Sequence, residues 1–276
     1  MSFQYYLQFL TLLNITHHNI IIMKTVVILS MPRSGSSLLS GVLYRLGIWM
    51  GKEDHMKIGK HLNKYGCYEN QDFIGFNENM LFKSKRLLNQ ARRLDDSDGL
   101  VEKAVRENED RIIEIIRKNE RELWGFKNPT MIYTLPYFHH HLKNPYYISL
   151  KRDSKSIANS LKRAAKFKNW LPEIRHEFLY FSPIEKLEII TRFIKVFLTS
   201  GFIFTHESLY EEIAKDGYRR IDDFLNGKKY LDLKLIELLE DSEKIIQRII
   251  DFLGISPTEE QTEDALGFIN PDLIKS

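Results

Sequence analysis

The 276-residue chain contains a single cysteine, Cys67, so it cannot form an intramolecular disulfide. The absence of disulfides is typical of proteins in a reducing compartment, and we expect a cytoplasmic protein. No apolar run approaches the ~20 residues that a membrane-spanning helix needs, because the polar segment NITHHN divides the apolar N-terminus. A secretory signal peptide opens with positive charge and ends in small residues, and this N-terminus shows neither feature.

The sequence also has little excess charge and lacks two common ligand motifs. A net charge of +3 is too small to indicate nucleic acid as a partner. No Gly-Lys-Ser or Gly-Lys-Thr is present, although ATP-binding phosphate loops end in one of these triplets. The histidines His139 to His141 do not indicate a metal site, because consecutive residues do not share one face of a helix. We therefore expect no nucleic-acid partner and no bound metal.

Short apolar runs alternate along the chain with segments of helical spacing. The run Val26–Ser30 is typical of a strand buried on both faces of a parallel sheet. Apolar residues from Leu38 to Leu46 then recur at helical spacing. This alternation predicts a three-layer α/β fold, in which helices cover both faces of a parallel sheet. Further strands are predicted at 123–130, 146–153 and 201–209, and further helices at about 99–121, after an N-cap at Ser154, and before Gly254.

The length of the chain suits one large α/β domain. Met23 stands directly before Lys24, which opens the first clear strand. We therefore expect a single domain over residues 23–276, with residues 1–22 as an N-terminal extension. No internal repeat or low-complexity segment divides the chain.

The sequence PRSGSS, between the first strand and the first helix, has the composition of an anion-binding loop. Gly35 permits close approach of the backbone to a ligand, and a helix start offers unpaired amides and the positive end of a dipole. Ser36 and Ser37 add hydroxyl groups, and Arg33 adds a permanent positive charge. A polar helix cap would have a similar composition, but the strand before it and the helix after it favour an anion site.

Three other segments place charged residues where the same ligand would lie. Lys127 ends the second predicted strand and Arg152 ends the third, and parallel sheets bind ligands at the carboxyl ends of their strands. Ser160 follows Arg152 by about two helical turns. Glu69 lies in the loop after the first helix. Taken alone, each of these residues is more often a solvated surface residue than part of a binding site.

Taken in order, PRSGSS, Lys127-Asn128-Pro129 and Arg152 with Ser160 resemble the motifs of the PAPS-dependent sulfotransferases. PAPS is 3′-phosphoadenosine 5′-phosphosulfate, and PAP is its desulfonated product. The resemblance implies a P-loop-like, nucleotide-kinase-type fold and transfer of a sulfuryl group from PAPS to a hydroxyl acceptor. It covers roughly residues 24–204, with a looser likeness near the C-terminus.

The resemblance is closer to the bacterial and tyrosylprotein-type members than to the cytosolic phenol-type branch. That branch has a lysine where this chain has Arg33, and a catalytic histidine just past the strand-end lysine, where this chain has Asn128 and Pro129. Asn128 stands where the similar members more often have aspartate.

The resemblance also implies a role for each motif residue. Arg33, Ser34, Gly35, Ser36 and Ser37 would bind the 5′-phosphosulfate. Arg152 and Ser160 would bind the donor's 3′-phosphate. This group distinguishes PAPS from ATP.

For catalysis, the resemblance implies that Arg33 and Lys127 stabilise the transferring group and that Glu69 is the general base. His55 and His61 are the alternative bases. The resemblance implies no metal ion, because the cationic side chains of Arg33 and Lys127 already neutralise the charge of the transferring group.

The acceptor is left open, as carbohydrate, lipid, small alcohol or protein tyrosine, and so is the oligomeric state. The aromatic residues that follow the first helix are equally compatible with an acceptor pocket and with loop packing, and the basic residues after Arg152 fit either an acidic acceptor or a solvated helix face. These two sets are Tyr65, Tyr68, Phe73 and Phe76, and Lys162, Arg163, Lys166, Lys168 and Arg175.

The sequence leaves two other functions open. One is a catalytically inactive protein of the same fold that binds PAP or another nucleotide. The other is an ATP-dependent phosphotransferase, which the missing Gly-Lys-[Ser/Thr] argues against.

Overall fold

The computed structural model describes residues 23–52, 66–84, 98–164, 182–188, 190–191 and 207–270. Within these residues, four parallel strands form one sheet in the order β2-β1-β3-β4. The predicted α/β fold with a parallel sheet is confirmed. The strands are β1 (Lys24–Ser30), β2 (Leu123–Lys127), β3 (Pro145–Lys151) and β4 (Tyr230–Lys234).

Helices connect and cover these strands. Three short 3₁₀ turns lie between β2 and β3, at Met131–Tyr133, Leu135–Tyr137 and His139–His141, and residues 183–188 are also helical. The helices are α1 (Ser36–Arg45), α2 (Gln71–Lys83), α3 (Asp98–Arg106), α4 (Glu109–Asn119), α5 (Ser154–Ala164), α6 (Glu207–Leu225), α7 (Leu235–Glu240), α8 (Ser242–Leu253) and α9 (Glu259–Phe268). None of the helices in the described ranges is long and apolar enough to cross a membrane.

Alternate residues of β1 face two separate apolar cores. Val27 and Leu29 pack into a core on one face of the sheet, together with residues of α2, α3 and α4. Val26 and Ile28 pack into a core on the other face, together with residues of α1, α8 and α9. Side chains alternate across a strand, so a strand that is apolar at every position needs a core on each face.

Strands β2, β1 and β3 end close together at one edge of the sheet. Ile28 of β1 pairs with Lys127 of β2, and Ser30 of β1 pairs with Leu150 of β3. The segments that follow these strands therefore begin at the same edge. Those segments carry Arg33, Asn128 and Arg152.

Three predicted elements differ from the structure. The single helix at 99–121 is two helices, because Asn108 leaves helical geometry and its side-chain amide donates to the carbonyl of Ala104 at 2.8 Å. The N-cap of α5 is Asp153 rather than Ser154, since Asp153 Oδ2 accepts from the amide of Ser156 at 2.8 Å. In the strand predicted at 201–209, residues from Glu207 onward are helical, and residues 201–206 lie outside the described residues.

Other predictions at the chain ends have mixed outcomes. Gly254 ends α8 in the left-handed conformation, as predicted. Strand β4 and helix α9 were not predicted. The proposed extension at residues 1–22 lies outside the described residues.

Candidate functional site

The loop between β1 and α1 enters the left-handed backbone region twice, on either side of Ser34. Arg33 has φ 66° and Gly35 has φ 90°. An alanine Cβ at Gly35 would also lie 2.5 Å from Cδ1 of Leu235, so both conformation and packing require glycine there. The first helical amide with an intrahelical partner is that of Leu38, which donates to the Gly35 carbonyl at 3.0 Å. The amides of Ser36 and Ser37 precede it, and these are the groups that bind anions at helix starts.

Two serines of the same loop are buried. Ser34 is fully buried, and its Oγ has no hydrogen-bond partner among the described residues. Ser36 is also buried. A buried hydroxyl without a partner carries a free-energy cost that a bound ligand can remove. The loop therefore offers amide and hydroxyl donors to one anion.

Lys127 connects this loop to Glu69. Its Nζ donates to Glu69 Oε1 at 2.5 Å and to Ser37 Oγ at 3.3 Å. The Lys127 side chain is 1% exposed, whereas that of Glu69 is 21% exposed. A buried ammonium requires a partner charge, and Glu69 supplies it while still reaching solvent.

Arg33, Arg152 and Ser160 form a second set of contacts at the same edge. Arg33 Nε donates to Ser160 Oγ at 3.0 Å, and Arg152 Nη1 donates to the Arg33 carbonyl at 2.9 Å. Burial lowers the pKa of Arg152, and the nearby charges of Arg33 and Arg163 lower it further. Two guanidinium groups held close together in a partly buried site have the charge and the donors to bind a multivalent anion.

Every residue predicted for the site lies at this one edge of the sheet. The first loop, Lys127 and Glu69 form one group, and Arg33, Arg152 and Ser160 form the adjoining one. Arg33 belongs to both groups, because it is part of the β1–α1 loop and also contacts Arg152 and Ser160. The roles implied for these residues stay predictions.

Tyr218 is a residue of the site that the sequence did not indicate. Its hydroxyl accepts from the backbone amide of Arg152 at 2.8 Å and thereby holds the turn that carries Arg152. Burial raises the pKa of Tyr218, so this hydroxyl stays protonated. Tyr218 lies 66 residues further along the chain, on α6, and no local pattern marks it.

For some of the aromatic and basic residues whose roles the sequence left open, the structure decides between the alternatives. Phe73 and Phe76 are fully buried in the core, so they are packing residues rather than acceptor-pocket residues. Tyr68 packs against Phe268. Lys162 and Arg163 are exposed. The remaining residues of those sets, and both alternative bases, lie outside the described residues: Tyr65, His55, His61, Lys166, Lys168 and Arg175.

A buried polar network holds the turn that follows Lys127. Asn128 Oδ1 accepts from the amide and from the hydroxyl of Thr130, both at 2.8 Å. Asn77 of α2 donates to Thr130 Oγ1 at 2.5 Å and accepts from Thr134 Oγ1 at 2.7 Å. All four residues are buried. Helix α2 thus begins two residues after Glu69 and also holds the turn next to Lys127.

Replacing Asn77 by leucine is expected to lower the free energy of unfolding by about 2–4 kcal/mol, because two buried hydroxyls lose a partner. Urea unfolding measures this change. Gln247→Leu is the control, since its amide bonds only to Asp251 on an exposed face of α8, and it should change stability by less than about 0.5 kcal/mol. Equal effects of the two substitutions would show that the network does not stabilise the turn.

The sequence matches one family of known proteins. A sequence model described as the sulfotransferase family matches residues 25–260. No curated protein sequence matches significantly.

Similar solved structures include the sulfotransferase domain from the Synechococcus PCC 7002 olefin synthase. It is 20% identical, and the match covers 92% of this chain and 82% of that one, with a TM-score of 0.48. The sulfotransferase domain from the curacin biosynthetic pathway is 16% identical over 92% and 80% of the two chains, with a TM-score of 0.48. Sulfotransferase STF9 from Mycobacterium avium is 13% identical over 93% and 71%, with a TM-score of 0.43.

Proposed function

Because the chain belongs to the sulfotransferase family, we propose that it transfers a sulfuryl group from PAPS to a hydroxyl acceptor. The observation that carries the proposal is the convergence of Arg33, Lys127 and Arg152 with the β1–α1 loop at one sheet edge. This edge offers cations and amides for two separate anionic groups of one donor. The acceptor would be a carbohydrate, lipid, small alcohol or protein tyrosine.

The donor's two anionic groups fit two neighbouring parts of the site. The loop amides, with the hydroxyls of Ser34, Ser36 and Ser37, would bind the 5′-phosphosulfate. The buried Ser34 hydroxyl without a partner supports this assignment.

The 3′-phosphate would lie between Arg152 and Ser160. Ser160 now accepts a hydrogen bond from Arg33, so its own proton is available for a phosphate oxygen. ATP has no 3′-phosphate, and the Arg152 group would therefore select PAPS over ATP.

PAPS supplies an activated sulfuryl group, and the chain's residues position and neutralise the charges around it. Glu69 accepts the proton of the acceptor hydroxyl while the acceptor oxygen forms a bond to sulfur. The bond from sulfur to the 5′-phosphate oxygen breaks, and its electron pair stays on that oxygen. Lys127 and Arg33 donate hydrogen bonds to the charge that develops there. PAP and the sulfate ester are the products.

Titration with PAP by calorimetry tests the donor site. The protein should bind PAP and should not bind ATP–Mg²⁺ measurably. Preference for ATP–Mg²⁺, or binding of neither nucleotide, would overturn the proposal. PAP binding without transfer from PAPS to any acceptor class would identify a nucleotide-binding protein that has lost catalysis.

Arg152→Ala should weaken PAP binding by about 100-fold, because a charge-assisted contact to phosphate contributes about 3 kcal/mol. Arg117→Ala is the control, since Arg117 is an exposed arginine near the end of α4, away from the carboxyl ends of the strands. It should change the affinity by less than about threefold. If both variants bind PAP as the wild type does, the 3′-phosphate does not contact Arg152.

A further inference from the structure

Glu109, His140 and His141 form a cluster away from the donor site. Glu109 is the first residue of α4, and the two histidines belong to the 3₁₀ turn His139–His141. His141 Nε2 lies 2.8 Å from Glu109 Oε1, and His140 Nε2 lies 3.5 Å from the same oxygen. One ligand atom from each residue can be chosen so that all three lie within 4.8 Å of one another.

The expectation that consecutive histidines cannot meet fails for this turn. The rings of His140 and His141 lie 4.0 Å apart between centroids, and both reach the same carboxylate. His139 points elsewhere, with its ring edge-on to Phe224 and its Nδ1 3.4 Å from the Tyr147 hydroxyl. The two rings converge on Glu109 because α4 places its carboxylate beside the turn. The sequence of the turn alone does not reveal this position.

The cluster is open to solvent. The side chains are partly exposed, at 43% for Glu109, 52% for His140 and 23% for His141. An ion can therefore enter from solvent without rearrangement of the core.

We propose that Glu109, His140 and His141 bind a divalent transition-metal ion of the zinc type. Two imidazole nitrogens and one carboxylate form a ligand set that Zn²⁺ uses in proteins, with a water molecule at the fourth tetrahedral position. Mg²⁺ and Ca²⁺ fit less well, because they require several oxygen ligands and the cluster has one carboxylate.

The ion would stabilise the fold rather than take part in sulfuryl transfer. It would join α4 to the segment before β3 across 32 residues of sequence. The histidine turn precedes β3 and Arg152 follows it, and a seven-residue strand is roughly 20 Å long. The donor site and the metal site therefore lie at different places in the molecule.

Calorimetric titration with ZnCl₂ tests the proposal, using the full chain without a histidine tag after treatment with a chelator. One Zn²⁺ per chain should bind at this cluster. A hundredfold excess over Kd should raise Tm by about 5 °C or more. Glu109→Gln and His140→Ala should each weaken binding by at least about tenfold. Both positions are exposed enough for the variants to fold, which Tm without metal verifies.

His139→Asn is the matched control, because it changes the neighbouring histidine of the same turn and leaves the cluster intact. It should bind Zn²⁺ as the wild type does. Absence of Zn²⁺ binding to the wild type would overturn the proposal. Equal binding by Glu109→Gln, His140→Ala and the wild type would also overturn it, since the ion would then be held elsewhere in the chain.

Discussion

Replacing Glu69 by glutamine is expected to lower kcat by about 10²–10⁴-fold, the range that a positioned general base contributes. Glutamine keeps the size of the side chain and can still accept the hydrogen bond from Lys127 Nζ. It cannot take a proton from the acceptor hydroxyl. PAP affinity should therefore stay within about threefold of the wild-type value, because Glu69 contacts no residue assigned to the 3′-phosphate.

Comparison of kcat with PAP affinity separates this role from a structural one, because a distorted site would lose both, whereas loss of the base alone lowers only kcat. Glu120→Gln is the control, because Glu120 also pairs with a lysine, Lys143, at 3.0 Å and is only 14% exposed. Wild-type kcat in Glu69→Gln would exclude Glu69 as the base.

Lys127→Met should lower kcat by about 10²–10³-fold, the loss seen when one preorganised donor to a developing negative charge is removed. Methionine retains the buried apolar stem, so packing around the 1%-exposed side chain is conserved. The effect should appear in the chemical step under single-turnover conditions. The affinity for PAPS should change less than kcat, because the negative charge on the 5′-phosphate oxygen that Lys127 would contact develops only as the bond to sulfur breaks.

Lys151→Met is the matched control for this substitution. Lys151 ends β3 as Lys127 ends β2, and it also pairs with a carboxylate, Asp222, at 2.7 Å. It has no contact with the β1–α1 loop among the described residues, and its loss should change kcat by less than about twofold. Equal losses in the two variants would mean that kcat responds to any strand-end lysine.

The contact between Lys127 and Glu69 predicts that their effects are coupled. Residues that act as one unit in a mechanism give a double variant whose loss is smaller than the product of the single losses. The variant Glu69→Gln/Lys127→Met should therefore be only slightly slower than the worse single variant. Multiplicative losses would show that the two residues act independently.

Local elements of this fold could be predicted because their signals are local. The apolar run Val26–Ser30 and the helical spacing from Leu38 to Leu46 correspond to β1 and α1 in the structure. The break at Asn108 was missed, because apolar periodicity continues across it and the break depends on one side-chain hydrogen bond. The predicted N-cap of α5 was wrong by one residue, because Asp153 and Ser154 are both good cap residues.

The sequence alone predicted most residues of the candidate site, since PRSGSS, Lys127 and Arg152 each stand at a predicted strand end. Only the tertiary structure decided how they meet. Lys127 and Glu69 are 58 residues apart, and Arg33 and Ser160 are 127 residues apart. Their contacts depend on the strand order β2-β1-β3, which alternation of strands and helices does not specify. Tyr218, Asn77 and the Glu109 cluster became visible for the same reason: their partners are distant in sequence, and only packing of the helices on the sheet brings them together.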